Sequence, residues 1–149
     1  MKNRITLLLA SAALLAIPSL ASAAGPAARP YENGPVWDVS AIQTKPGHFD
    51  DYMKYVSTTW RALNEELKKQ GQVLDYKVLT VADPRDNAPD LYLLVEWKNM
   101  AAFDATLDEQ DALTRKVFGS VADANKAGMD RESIRTLRGD MLTRELILK

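Results

Sequence analysis

The feature that most constrains the fold is an apolar stripe that recurs at three- and four-residue steps across residues 49–67. Its members are Phe49, Tyr52, Met53, Val56, Trp60, Leu63 and Leu67. This spacing predicts one amphipathic helix. Lys68 and Lys69 suit the negative end of the helix dipole, and Gly71 stands where a C′ glycine would end the helix.

Segments of strand character surround this helix along the chain. They are residues 36–43 (VWDVSAIQ), 73–81 (VLDYKVLTV), 91–97 (LYLLVEW) and 141–148 (MLTRELIL). A loop rich in Asp and Pro at residues 83–90 joins the second and third segments, which predicts a β-hairpin.

A second helical region is predicted between the third and fourth strands. Asn99 can cap its start, since an Asn side chain accepts hydrogen bonds from free N–H groups at a helix terminus. The segment is too long for one helix, so Gly119 and Gly128 are expected to divide it. Asp130 is expected to cap a last short helix that runs towards Arg138.

The order strand, helix, hairpin, helix, strand predicts an α+β, ferredoxin-like βαββαβ fold, with a four-stranded antiparallel sheet that carries both helices on one face. The third strand is apolar on both faces, because Leu91, Leu93 and Val95 alternate with Tyr92 and Leu94. A sheet of this kind needs cover on its second face, so a homodimer is expected.

These segments resemble the dimeric α/β-barrel superfamily, in which two ferredoxin-like subunits pair their sheets. The resemblance covers residues 36–149 and is carried by VWDVSAIQTKPGHFDDYMKY, LYLLVEWKNMAAFD and RGDMLTRELILK. The superfamily includes cofactor-independent monooxygenases, haem-degrading enzymes, and isomerase- and dehalogenase-like proteins, so the resemblance implies architecture rather than one activity. The haem-degrading branch places a proximal His on the second helix, whereas His48 opens the first helix here. No cofactor is therefore expected.

The first 23 residues have the order of regions found in a secretory signal peptide. Lys2 and Arg4 are followed by an apolar run at residues 5–17, which is shorter than the roughly 20 residues needed to span a bilayer. Ala21-Ser22-Ala23 then supplies a small-x-small cleavage site. We expect an exported protein, periplasmic or extracellular and without membrane attachment after cleavage, whose residues 24–35 form a flexible lead. An uncleaved anchor or a buried N-terminal helix is the alternative.

Composition excludes several classes of function. Without Lys2 and Arg4, 17 of the 19 basic residues remain against 20 acidic ones, a net charge near −3 with no basic block, which argues against a nucleic-acid partner. The absence of Cys removes thiol catalysis and Cys-based metal sites, and a single His does not supply a multi-His zinc site. No metal is expected.

Polar residues within the predicted strands and one histidine are the candidates for chemistry. His48 is the side chain expected to titrate near neutral pH. His48 and Arg144 are the predicted catalytic residues: His48 or a strand-borne Tyr, together with Arg144, would assist proton transfer. Alternatively, His48 is simply a partly exposed residue of a first helical turn. Asp38 and Glu96 interrupt apolar strands and are predicted to orient an anionic or hydroxylated ligand. Salt bridges at the dimer seam are the alternative.

Trp37 and Tyr92 are the predicted aromatic walls of a ligand pocket, because both lie on strands whose two faces are expected to be covered. The sequence therefore predicts a homodimeric protein that binds a small apolar or aromatic molecule between sheet and helices. Two alternatives stay open. One is a cofactor-independent, monooxygenase-like enzyme acting on an aromatic or quinone-like substrate, and the other is a dimer that binds another protein.

Overall fold

The computed structural model describes residues 29–149. Four antiparallel strands form one sheet in the order β2-β3-β1-β4. The elements are β1 (Tyr31–Thr44), α1 (Phe49–Tyr55), α2 (Arg61–Lys69), β2 (Val73–Thr80), β3 (Leu91–Trp97), α3 (Leu107–Phe118), α4 (Val121–Glu132) and β4 (Arg135–Leu148). The predicted α+β, ferredoxin-like fold is confirmed.

The predictions for the N-terminal segment fall mostly outside the residues that the structure describes. The expected signal peptide at residues 1–23 and the first part of the expected lead lie outside the described residues. Within residues 29–149, no helix combines the length and the apolar character that a membrane crossing requires.

The apolar stripe forms the predicted helix and packs on the sheet. Tyr52 and Val56 are buried against Ile42 and two β3 leucines, Leu91 and Leu93, in one core cluster. A second cluster joins Leu67 to Val73 and Val95. Both clusters lie on one face of the sheet, which is called the helix face below.

One turn of the stripe helix is a π-helix. It spans Val56–Trp60 between α1 and α2, and the N–H of Arg61 donates to the carbonyl of Val56, five residues back. Asn64 is buried, and its side-chain amide donates to the carbonyl of Trp60 at 2.8 Å. This side-chain bond stabilises the end of the π-helical turn, a feature that often occurs at functional sites.

The second face of the sheet, called the open face below, carries the alternate residues of each strand. Cross-strand pairing joins Val39 to Leu94 of β3 and to Met141 of β4. The side chain of Met141 is 56% exposed, and Leu79 of β2 is 49% exposed. An apolar row therefore crosses β3, β1 and β4 on the open face, and Lys77 of β2 lies beside Leu94 at its end.

The structure corrects the predicted start of order. β1 begins at Tyr31, five residues before the predicted Val36, so residues 31–35 are strand rather than flexible lead. Tyr31 pairs with Leu148, and the register shifts between Asn33 and Val36, where β1 carries a bulge. The long-range partner strand decides this boundary, and local composition rich in Gly and Pro does not reveal it.

The predicted division of the helical region between the third and fourth strands is wrong at Gly128 and at Asp130. Gly119 does end α3, with φ of 86°, but Gly128 lies inside α4, and Asp130 lies in the last turns of that helix rather than capping a new one. β4 starts at Arg135 instead of residue 141. Pairing with β1 along its whole length overrides the weak helical pattern of residues 135–138.

The caps of the later helices also differ from the prediction. Asn99 caps a short 3₁₀-helix, Met100–Phe103, by accepting a hydrogen bond from the N–H of Ala101. Thr106 and Glu109 form a capping box at the start of α3. The 3₁₀-helix therefore sits between the end of β3 and the beginning of α3, where it covers one end of the sheet.

Candidate functional site

A hollow of about 230 Å³ lies on the helix face, and we call it the helix-side cavity. The stripe helix forms one wall, the C-terminal turn of α4 a second, and β1 and β4 the floor. The polar and aromatic side chains that line it are Ser40, Tyr52, Tyr55, Trp60, Arg131, Arg135 and Asp140. The π-helical turn ends at Trp60, so the irregular part of the helix borders the cavity.

Strand register brings the polar floor together. Ser40 of β1 pairs directly with Asp140 of β4, and both side chains lie on the helix face. Asp38 lies two residues before Ser40 and therefore points to the same face. A bulge between Ala41 and Ile42 shifts the register just beyond this point, which places Arg135 opposite Thr44.

Two arginines supply hydrogen-bond donors that have no acceptor among the described residues. The guanidinium carbon of Arg131 lies 4.2 Å from the ring centroid of Tyr55, and Nη1 of Arg131 is buried without a partner. The side chain of Arg135 is only 12% exposed, and its Nη2 lies 3.3 Å from Oε1 of Glu132. Its Nε and Nη1 atoms are buried and unpartnered. A buried donor without an acceptor is unfavourable, so these atoms are suited to hold a ligand oxygen.

The acidic side of the cavity has shifted protonation equilibria. Burial raises the pKa of Asp38, and the nearby carboxylate of Asp140 raises it further. Burial raises the pKa of Tyr52 to about 12, partly opposed by the positive charge of Arg135. Burial also raises the pKa of Tyr55. The tyrosines therefore stay protonated at neutral pH. Asp38 lies on the same face beside Asp140, but it is not among the residues that line the cavity.

The predicted ligand-binding residues are divided between the two faces of the sheet. Asp38 lies on the helix face, whereas Trp37 and Glu96 form a cross-strand pair on the open face. Tyr92 is also on the open face, where it pairs with Ala41. These four residues are therefore not one cluster, because adjacent strand residues point to opposite sides.

The predicted catalytic pair is also separated. Nδ1 of His48 lies 3.2 Å from Oδ2 of Asp51 at the start of α1, beyond the Thr44 end of β1. Arg144 pairs with Val36. Val36 lies eight residues before Thr44 in β1, which corresponds to about 26 Å along the strand. Nη1 of Arg144 donates to the carbonyl of Gly34 at 3.2 Å. The structure does not bring His48 and Arg144 into one site.

Sequence reasoning misses Arg131 and Arg135 because it predicts residues 130–138 as a short helix, and it misses Asp140 because that residue lies between this helix and the predicted last strand. The available signal was the density of Arg and Asp in residues 130–140 (DRESIRTLRGD) at a junction between helix and strand. Within the described chain, no group of three or more His, Cys, Asp or Glu side chains is placed to hold a metal ion. The chemistry of the cavity thus comes from Arg, Asp, Ser and aromatic groups.

Comparison with solved structures finds several similar chains. The chain is similar to HapK from Hahella chejuensis, with a TM-score of 0.50 and 11% identity over 74% of this chain and 91% of HapK. It is also similar to PA3566 from Pseudomonas aeruginosa, with a TM-score of 0.46 and 15% identity over 78% of this chain and 96% of PA3566. A conserved protein from Methanosarcina mazei Go1 gives a TM-score of 0.41 and 21% identity over 78% of this chain and 93% of that protein.

At these identities the comparison with HapK concerns the fold alone. No family model matches the chain, and no curated protein sequence matches it. The fold is nevertheless defined: the chain is an α+β protein with a ferredoxin-like, four-stranded antiparallel sheet.

Proposed function

We propose that the protein binds a small aromatic molecule carrying an anionic or carbonyl oxygen, and that it does so in the helix-side cavity. The observation that carries the proposal is the set of buried, unpartnered guanidinium N–H groups of Arg131 and Arg135 in an aromatic-lined hollow. A ligand oxygen accepting from these groups would remove the penalty of leaving them unpaired.

The size and lining of the cavity narrow the ligand class. Its volume of about 230 Å³ is below the 300–1,000 Å³ typical of drug-sized ligands, which suits a molecule with one aromatic ring. Tyr52, Tyr55 and Trp60 offer ring surfaces for stacking. Asp140 and Ser40 on the floor supply an acceptor and a hydroxyl for a second polar substituent.

The protein is proposed to work as a homodimer through the open face. Val39, Leu94 and Met141 form the apolar row across this face, and monomeric proteins rarely leave large apolar patches in water. A second copy that pairs its own open face would cover the row, as the superfamily resemblance implies. The sequence of residues 1–23 supports export to the periplasm or the medium before assembly.

Ligand binding is tested by replacing one arginine of the cavity. Arg135→Met removes the unpartnered donors while keeping the apolar stem, and Arg138→Met is a matched control at an exposed position of the same strand. Calorimetric titration with salicylate should show binding to the wild type and to Arg138→Met. Arg135→Met should weaken it by at least about tenfold, which corresponds to the loss of one charge-assisted hydrogen bond.

Equal salicylate affinity in the two arginine variants would contradict the proposed site. Native mass spectrometry of the mature protein from the exported fraction of its own cells is the complementary measurement. A dimer carrying a co-purified aromatic acid would support both parts of the proposal. A stable monomer would contradict the pairing of open faces.

A cofactor-independent, monooxygenase-like enzyme is the second candidate, and the Asp38–Asp140 pair favours it. A carboxyl with a raised pKa beside a ligand site can accept a proton from a phenol or hydroquinone. Oxygen uptake with a hydroquinone substrate should then be lost in Asp38→Asn. His48 and Arg144 lie outside the cavity, so His48→Ala and Arg144→Ala separately test the originally predicted pair. Oxygen uptake indistinguishable from that of buffer would exclude this second candidate.

A further inference from the structure

A second hollow, of about 410 Å³, lies at the other end of β3, and we call it the Trp97 cleft. Its apolar walls are Leu63, Leu67, Trp97, Phe103 and Leu113. Leu93 lines the helix-side cavity, and Trp97 stands four residues further along the same strand, about 13 Å away. The cleft is therefore a separate site on the same face of the sheet.

The indole of Trp97 is the chemical centre of this cleft. Its ring lies 4.9 Å from the ring of Phe103 in a tilted arrangement. The indole Nε1 is buried and has no acceptor among the described residues. An indole N–H that is removed from water normally finds a partner, so Trp97 carries an unsatisfied donor next to this cleft.

The polar side chains at the rim form hydrogen bonds within their own segment, and none of them accepts from Trp97 Nε1. Nε2 of Gln110 donates to the carbonyl of Ala105 at 2.8 Å, and the hydroxyl of Thr114 donates to the carbonyl of Gln110 at 2.8 Å. Glu109 is held in the capping box with Thr106. These bonds fix the 3₁₀-helix and the start of α3 as a preformed wall.

We propose that the Trp97 cleft binds a neutral, apolar small molecule with one carbonyl-type oxygen, which accepts the hydrogen bond of Trp97 Nε1. The apolar walls select against a charged ligand, and the single carboxylate at the rim, that of Glu109, disfavours an anion. The volume accommodates a ligand with two aromatic rings or an equivalent apolar body. This ligand is neutral and has two rings or an equivalent apolar body, whereas the helix-side cavity is proposed to bind a molecule with one ring and an anionic or carbonyl oxygen.

The three tryptophans report on three different surfaces, which makes the proposal directly testable. Trp37 lies on the open face, Trp60 lines the helix-side cavity, and Trp97 lines the cleft. Their indole N–H signals in a ¹⁵N-correlated NMR spectrum can be assigned with single Trp→Phe variants. Benzophenone and diphenylmethane are the probes, since they differ only in a carbonyl group in place of a methylene.

Benzophenone should shift the Trp97 indole signal downfield, while diphenylmethane should cause a smaller shift in the same signal. Ala102→Leu adds an isopropyl group to a side chain that lines the cleft. Ala112→Leu makes the same change at an exposed position of α3. Benzophenone affinity should fall by at least about tenfold in Ala102→Leu and stay unchanged in Ala112→Leu.

The outcomes separate this proposal from the one for the helix-side cavity. A benzophenone response at Trp60 with none at Trp97 would overturn the cleft and leave the cavity standing. Equal responses of Trp97 to both probes, or no response, would also overturn the cleft. If Ala102→Leu fails to fold, ultraviolet cross-linking of bound benzophenone to the wild type decides the matter: adducts on Leu63, Leu67 or Leu113 support the cleft, and adducts elsewhere refute it.

Discussion

The indole Nε1 of Trp37 donates a hydrogen bond to Oε2 of Glu145 at 3.0 Å, joining β1 to β4 across the open face. The sequence predicts Trp37 as a wall of a ligand pocket, and it predicts the charged residues of the last strand, Arg144 and Glu145, as part of a polar ligand site or as a salt bridge at the dimer seam or strand edge. The structure makes the two residues partners, with the Glu145 carboxylate beside the bulge that follows Asn33. A charge in an apolar strand is thus explained by a long-range hydrogen bond on the surface proposed for dimerisation.

The proposed dimer face is tested by placing a charge at its centre. Val39 lies between Leu94 and Met141, so Val39→Asp would bury an unpaired carboxylate wherever two open faces meet. Such a charge is expected to weaken association by roughly 3 kcal/mol or more. Sedimentation velocity should show a dimer for the wild type and a folded monomer for the variant.

Ala112→Asp is the control for this experiment, since residue 112 is exposed on α3. It should leave the dimer intact. A Val39→Asp protein that remains dimeric would show that the second copy binds elsewhere.

The π-helical turn is expected to depend on Asn64. Asn64→Ala removes the hydrogen bond from the Asn64 amide to the carbonyl of Trp60 and leaves the buried space of the Asn64 amide empty. The free energy of unfolding should fall by about 1–3 kcal/mol, the usual result of losing a buried hydrogen-bond partner. Denaturant titration gives this value, with Asn125→Ala on the exposed side of α4 as the matched variant expected to stay within about 0.5 kcal/mol. A loss no larger in Asn64→Ala than in Asn125→Ala would rule out this role.

Two glycines of the α3–α4 region should respond to alanine in opposite directions. Gly119 has φ of 86°, a conformation that alanine resists, so Gly119→Ala should reduce the free energy of unfolding by at least about 1 kcal/mol. Gly128 lies inside α4, where an added Cβ would meet only Nη2 of Arg131 at 3.9 Å. Gly128→Ala should therefore increase the free energy of unfolding by about 0.5–1 kcal/mol. Thermal unfolding of both variants provides the comparison, and a shift of the same sign in both would contradict the helix boundaries.

Asp38 should make the protein less stable as the pH rises. Its folded-state pKa lies above the ordinary value of 3.8 because of burial and the charge of Asp140, so the native state holds this proton more tightly than the unfolded chain does. The stabilisation that comes from this proton is complete below the pKa of Asp38 in the unfolded chain. It is lost as the pH increases through the pKa of Asp38 in the folded protein. Asp38→Asn should consequently be more stable than the wild type at neutral pH, and the gain should disappear in acid.

Denaturant unfolding of wild type and Asp38→Asn across the acidic to neutral range measures this difference. Asp75→Asn serves as the control, because Asp75 lies on β2 near Lys68 and Lys77, away from Asp140. A stability difference between wild type and Asp38→Asn that does not change with pH would contradict the raised pKa.

Much of the fold could be predicted because its signals are local. The stripe from Phe49 to Leu67 and the two-sided apolar strand Leu91–Trp97 both formed as expected. The beginning of β1 and the first half of β4 could not be predicted, since residues 31–35 and 135–140 are polar or rich in Gly and Pro. They become strands because distant segments supply their hydrogen bonds: residues 31–33 pair with residues 146–148, and residues 135–140 pair with residues 40–44.

The candidate site was less predictable than the fold. The sequence indicated that Asp38 and Glu96 are unusual residues for strands, yet it could not place them on the same or opposite faces relative to one another. Arg131 and Arg135 come from the end of α4 and the start of β4, and the turn between those elements directs both towards the cavity. That juxtaposition leaves no periodic pattern in the chain.

The sequence by itself determined which residues share one side of one element, because helical and strand periodicities are properties of neighbouring residues. It therefore defined the buried stripe of the helix and the strands that form the sheet. Only the tertiary structure decided that Ser40 meets Asp140 and that His48 lies far from Arg144. The reason is physical: strand register and bulges are set by pairing between distant segments, and a shift of one residue moves every side chain to the other face.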